Sequence, residues 1–149
     1  MLVVPTEMEA AIRQHAETEY PNECCGALLG KSLPTGDRVS DTRRLRNVHE
    51  DGHARRYLVD PEQLRALLEE EVQAAWSIIG FYHSHPDHPS QPSEYDRVHA
   101  APWYTYAIVA VARGASEKLS AWKLDDAGQF VEEAIVSGSP PQNPDPGEG

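Results

Sequence analysis

The stretch Trp76-Ser77-Ile78-Ile79-Gly80-Phe81-Tyr82-His83-Ser84-His85-Pro86 decides the fold. Trp76–His83 is strongly apolar and reads as a buried strand, with Gly80 just ahead of the histidines. His85–Pro92 carries three prolines and is expected to be irregular, because proline gives a ladder no N–H. A core strand therefore runs into a loop, and two imidazoles stand at the junction.

Working outward, Ser93 to about Ala100 reads as a short helix, followed by strands at Thr105–Ala112, Lys118–Leu124 and Gln129–Val136. Upstream, Thr6 and Glu9 have the spacing of a capping box, and Met8, Ile12 and His15/Ala16 recur at helical period until Pro21. That places a first helix over Thr6–Glu19. Cys24–Gly30 is a second buried strand, and Pro34-Thr35-Gly36-Asp37 turns the chain into a returning strand, Arg38–Val48. After a polar loop, Glu50–Arg55, and an extended piece, Arg56–Val59, Asp60-Pro61-Glu62-Gln63 starts a second helix. In that start Asp60 caps and Gln63 reaches back. Leu64, Leu67, Leu68 and Val72 are its expected buried stripe. A sheet with three helices and no strict β-α alternation is a mixed α/β or α+β domain over 1–136. From 137 to 149 the chain is Gly, Ser, Pro and acid, expected to be a disordered tail.

Composition removes several function classes. The 149 residues carry a formal net charge of −11, which argues against a duplex nucleic-acid partner needing a basic footprint. No apolar run approaches the roughly 20 residues of a membrane helix, and the first residues lack a leader pattern, so a cytoplasmic location is expected. The two cysteines, Cys24 and Cys25, are adjacent; they form no C-x-x-C and are read as small apolar fillers.

The chemistry lies in His83-Ser84-His85-Pro86-Asp87-His88-Pro89-Ser90-Gln91-Pro92-Ser93-Glu94-Tyr95-Asp96. Histidines at i and i+2 of an extended chain point to one side and can meet one ion. Asp96, from the first turn of the following helix, could complete a two-histidine, one-carboxylate set. Three protein ligands with a vacant fourth position distinguish a catalytic zinc from a closed structural one. The pattern H-x-H-P-x6-S-x2-D arises by chance about once in 3 million starting positions at flat composition, more often in so histidine-rich a loop.

This segment resembles the signature of the JAMM (MPN-plus) metalloproteases, in which an upstream glutamate joins H-S-H-P, a serine and an aspartate. The upstream element would be Glu23, in Asn22-Glu23-Cys24-Cys25-Gly26-Ala27-Leu28-Leu29-Gly30. Arg56-Tyr57-Leu58-Val59-Asp60-Pro61 and Ile79-Gly80-Phe81-Tyr82 are also similar to the bacterial, stand-alone branch. The resemblance spans roughly residues 5–136. It implies a cytidine-deaminase-like central mixed sheet flanked by about three helices, and one zinc held by His83, His85 and Asp96. It further implies that Glu23 moves a proton from the attacking water to the leaving amine and that Ser93 donates to the oxyanion. As substrate it implies the C-terminal Gly-Gly tail of a ubiquitin-like sulfur-carrier protein, from which a following residue or peptide is released. Two other readings stay open: an endopeptidase for another protein, cell-wall or phage-tail substrate, and a zinc-stabilised interaction module without turnover. A zinc nucleobase deaminase would need H-x-E and P-C-x-x-C, and both are absent.

Simpler readings compete residue by residue. Ser93 and Asp96 also match a capping box, which is compatible with the chemical role. Ser84 is expected to face away from the histidines. His88 is read as a solvated loop residue near the site. His15, His49, His53 and His99 lack ligand spacing, and Trp76, Trp103 and Trp122 are read as core or rim.

Overall fold

The computed structural model describes residues 1–49 and 56–138. The polar loop expected at Glu50–Arg55, with His53, lies outside the described residues, as does the expected tail from 139 onward. The chain forms β1 (Leu2–Val4), α1 (Thr6–Glu19), β2 (Cys25–Leu33), β3 (Gly36–Leu45), α2 (Pro61–Glu71) and β4 (Ser77–Pro86). It continues through α3 (Glu94–Val98), β5 (Thr105–Ala112), β6 (Ala115–Leu124), β7 (Phe130–Glu133) and β8 (Ile135–Ser137). This is the mixed α+β class, with a large mixed sheet and three helices among the described residues.

Among the described residues, eight strands form one sheet in the order β7-β6-β5-β4-β2-β3-β1-β8. β4 sits near its middle, antiparallel to β2 and parallel to β5. A parallel neighbour requires a crossover, and the loop, α3 and the turn before β5 supply it. Because β2, β4 and β5 are covered on both faces, their sequences are almost continuously apolar rather than alternating. On one face α1 packs Ile12 and Ala16 against Leu28, Ile79, Tyr82 and Val109. On the other, Leu64 and Leu67 of α2 pack with Cys25, Ala27, Leu29, Leu45 and Phe81. Gly80 is required where β4 meets β5: a Cβ there would lie 1.8 Å from the Thr105 carbonyl oxygen.

Several expectations need correction. The Thr6–Glu9 capping box does not form; Pro5 precedes the helix, and its carbonyl accepts from the Met8 and Glu9 N–H groups. Glu9 pairs instead with Arg13. Asp60 does cap α2, accepting from the Glu62 N–H, but Gln63 accepts from the Arg46 N–H rather than reaching back. Leu68 is 41% exposed and Val72 82% exposed, because α2 meets the sheet only along the narrow Leu64–Leu67 line. β4 extends through both histidines to Pro86, so the irregular segment starts later than expected. The single strand expected at Gln129–Val136 is two: β7 pairs with β6, and β8 pairs with β1 at the other end of the strand order. Ala134 alone separates them, so the two sheet edges meet there. Among the described residues, no helix is long and apolar enough to cross a membrane.

Candidate metal centre

Register explains why distant residues converge. In the β2–β4 ladder Cys25 pairs with His83, so continuing two residues along each strand sets Glu23 opposite His85 on the same face. Cys24 and Ser84 take the opposite face, where the Ser84 hydroxyl accepts from the Cys24 N–H at 2.8 Å and the Ser84 N–H donates to the Cys24 carbonyl at 3.2 Å. Ser84 therefore clamps the start of β2 to the end of β4, and Glu23 stands at that clamp. Glu23, His83, His85 and Asp96 are all buried.

The loop after β4 is anchored at several points. Asp87, at φ 57, donates its N–H to the Val111 carbonyl and accepts from the Tyr20 hydroxyl and the Arg113 N–H. The Ser90 carbonyl accepts from the Ser120 hydroxyl and from Trp122 Nε1. Trp122 is thus a loop anchor. Ser93 caps α3 in a complete capping box: its hydroxyl accepts from the Asp96 N–H at 3.1 Å, and Asp96 Oδ2 accepts from the Ser93 N–H at 2.9 Å. This box delivers the Asp96 carboxylate to the histidines, so the capping reading of the pair is compatible with the chemical one.

Three atoms then form a nearly equilateral triangle. His83 Nε2 lies 3.2 Å from His85 Nε2 and 3.2 Å from Asp96 Oδ2, and His85 Nε2 lies 3.1 Å from that same oxygen. A tetrahedral zinc with bonds of about 2.0–2.1 Å separates its ligand atoms by about 3.3 Å. The donor set and its spacing therefore fit a zinc-sized ion. A carboxylate oxygen of Glu23 also lies within 4.8 Å of ligand-capable atoms on both histidines.

The protonation states suit the same arrangement. Burial keeps the His83 pKa below the ordinary histidine value, outweighing the attraction of Asp96, and so favours the neutral ring a metal requires. Burial pushes against ionisation of Asp96, yet His83, His85 and the Ser93 N–H together hold its carboxyl well below the usual range. Glu23 moves oppositely: burial first, and the Asp96 charge second, raise its pKa to about 8. Two carboxyl groups in one site are driven apart, one ionised and one able to hold or release a proton near neutrality.

The ring nitrogens away from the triangle differ. His85 Nδ1 donates to the Pro89 carbonyl at 2.7 Å, which fixes the tautomer that leaves Nε2 free. His83 Nδ1 is buried and finds no partner among the described residues; the Tyr57 ring stacks on the His83 ring at 4.4 Å and 24°. His88 is exposed, but its ring lies 4.2 Å from that of His85. His15 is buried against the Tyr82 hydroxyl at 2.7 Å, away from the site's face. Both cysteines are free, buried, and pushed up to about 12 by burial, which rules out a ready thiolate.

Sequence reasoning missed Tyr57, which covers His83, and Asn47, whose side-chain amide donates to the Glu23 carbonyl at 3.0 Å. The motif-like stretch around Tyr57 marked the region without giving the ring a role. Nothing in the sequence signalled Asn47.

Comparison with known proteins gives a concordant set. A family profile described as prokaryotic homologues of the JAB domain matches residues 5–125. A desampylase of Haloferax volcanii is 36% identical over 97 residues, covering 64% of this chain and 68% of that protein. A desampylase of Pyrococcus furiosus is 30% identical over 135 residues, covering 91% and 89%. The tail tip assembly protein K of Escherichia phage N15 is 35% identical over 101 residues, covering 63% of this chain and only 36% of that protein. Among solved structures, a JAB1/MPN domain protein from Archaeoglobus fulgidus superposes with a TM-score of 0.57 at 18% identity, covering 91% and 99%.

Proposed function

This chain belongs to the prokaryotic homologues of the JAB domain, and we propose that it is a zinc-dependent peptidase of the JAMM type. In this reading it hydrolyses the amide bond that follows the Gly-Gly tail of a ubiquitin-like sulfur-carrier protein. The observation that carries the proposal is the triangle of His83 Nε2, His85 Nε2 and Asp96 Oδ2, with a raised-pKa glutamate beside it. The two desampylases support deconjugation of a ubiquitin-like protein as the reaction class.

His83, His85 and Asp96 would hold the metal. Zinc, when bound, supplies a Lewis acid that polarises the carbonyl and brings the pKa of water from about 15.7 to about 7. Glu23 takes a proton from the attacking water on its carboxylate. Water oxygen bonds to the carbonyl carbon, the C–N bond breaks, and Glu23 returns the proton to the departing amine. The Ser93 hydroxyl accepts from the Asp96 N–H, so its own O–H remains available to donate to the oxyanion. Burial of all the ionisable groups strengthens these interactions relative to water.

The test uses zinc-loaded protein and a ubiquitin-like carrier extended by one residue beyond Gly-Gly, followed by mass spectrometry, with Glu23→Gln as control. Loss of the added residue with wild type alone supports the proposal. Equal cleavage by the variant removes Glu23 from the mechanism. A second reading is cleavage in another protein; it gains if carriers stay intact while an unrelated peptide is cut. Chelation separates both from a structural metal: activity lost with fold retained indicates catalysis, whereas unfolding indicates a structural ion.

A further inference from the structure

Asn47 uses its entire side-chain amide. Nδ2 donates to the Glu23 carbonyl at 3.0 Å and to the Arg56 carbonyl at 3.1 Å. Oδ1 accepts from the His49 N–H at 3.1 Å and the Leu58 N–H at 3.0 Å. Two carbonyls face the nitrogen and two N–H groups face the oxygen, so only one orientation of the amide satisfies all four. The backbone reinforces this: the Val48 N–H donates to the Leu58 carbonyl at 2.8 Å, and Asn47 and Val59 form an antiparallel bridge. One side chain thereby ties three segments together: the start of β2 at Glu23, the chain just after β3, and residues 56–58.

The tied segments both reach the candidate centre. Glu23 brings its carboxylate to the histidines, and the 56–58 segment brings the Tyr57 ring onto His83. The Tyr57 carbonyl accepts from the hydroxyl of Tyr95, the neighbour of Asp96, at 3.1 Å. The ring over His83 is therefore held from the α3 side by Tyr95 and from the β2 side by Asn47.

We propose that Asn47 is a positioning residue that fixes the Glu23 carboxylate and the Tyr57 ring in register with His83. Its side-chain amide bonds backbone groups and not the triangle, and acts through the Glu23 backbone and the 56–58 segment. This inference rests on the peptidase reading only for its kinetic consequence; the geometric claim stands apart from it.

Asn47→Asp is the informative variant. It keeps the shape and both accepting contacts, but sets oxygen against the Glu23 and Arg56 carbonyls. Asn47→Ala is the second variant, and thermal melts identify either one that fails to fold. In the full-length metal-free protein, NMR should show the Glu23 and Cys24 amide signals and the His83 ring protons moving together in Asn47→Asp. The His83 ring protons should lose the ring-current shift that Tyr57→Leu also removes. In the zinc-loaded protein the extended carrier should turn over with kcat lowered about 100-fold, as for a misplacement of about 1 Å. KM and zinc affinity should stay within about threefold of wild type, a split that general loosening of the fold would not produce. If Leu58 and Arg56 signals move while Glu23 and His83 stay put, or if kcat is unchanged, the proposal is overturned. If wild type itself cleaves no carrier, the peptidase reading falls and the NMR comparison still decides this one.

Discussion

His83 and His85 face each other across 3.2 Å, Nε2 to Nε2, with one oxygen of Asp96 completing the triangle. Three ligand-capable atoms this close together in a buried site are spaced to share one ion. Under the zinc proposal, zinc added at 100 times its Kd should stabilise the chain by about 2.7 kcal/mol. Calorimetry on chelated and zinc-loaded protein measures this, and His83→Ala should abolish the increment.

Glu23 should matter for turnover and not for metal retention. Glu23→Gln keeps the shape, removes the proton acceptor, and is expected to lower kcat by about 10²–10⁴. Zinc competition with a chromogenic chelator should give a near wild-type affinity. Loss of zinc from the variant would make Glu23 a ligand and would weaken the assignment of Asp96.

Ser93 carries two burdens that substitution can separate. Ser93→Ala removes the cap of α3, costing about 1 kcal/mol, and, under the peptidase proposal, removes the oxyanion donor as well, costing about 10²–10³ in kcat. Ser93→Asp retains a capping oxygen without a donor proton. It should recover stability in urea melts while leaving activity low.

Much of this was legible in advance, for local reasons. The histidines share a face because alternation in a strand is a property of the chain itself, and Asp96 follows from a capping box spanning four residues. Helix α1 kept its limits, Thr6–Glu19, despite a different cap. Glu23 could be placed only by resemblance, since its position opposite His85 depends on β2–β4 register across about 60 residues of sequence. β1 escaped notice because three residues carry no period, and the break at Ala134 because pairing partners, not propensity, decide it. Leu68 and Val72 misled because periodicity shows which residues could be buried, while the narrow seat of α2 sets how many are.

The buried His15 predicts a pH dependence. Burial, aided by Arg44, lowers its pKa from 6.5 to about 4. The unfolded chain binds a proton at 6.5, and the folded protein resists until about 4. Stability from this group is therefore complete above pH 6.5 and is lost progressively as pH falls to 4. The loss should amount to about 3 kcal/mol. Urea melts across that window should show the slope, and His15→Gln should flatten it.

Gly80 should tolerate nothing larger. A Cβ would meet the Thr105 carbonyl oxygen, which is backbone and cannot rotate away. Gly80→Ala is expected to cost about 3 kcal/mol or more, by forcing β4 from β5. Chemical denaturation measures it, and a loss below about 1 kcal/mol would mean the strands can separate there without penalty.

The most direct measurement is a crystal structure of zinc-soaked protein with anomalous scattering at the zinc edge. The expected result is one peak per chain about 2.0–2.2 Å from His83 Nε2, His85 Nε2 and Asp96 Oδ2, with a fourth position open toward Glu23. A peak elsewhere, an ion bound by Glu23 in place of Asp96, or four protein ligands closing the shell would contradict the account.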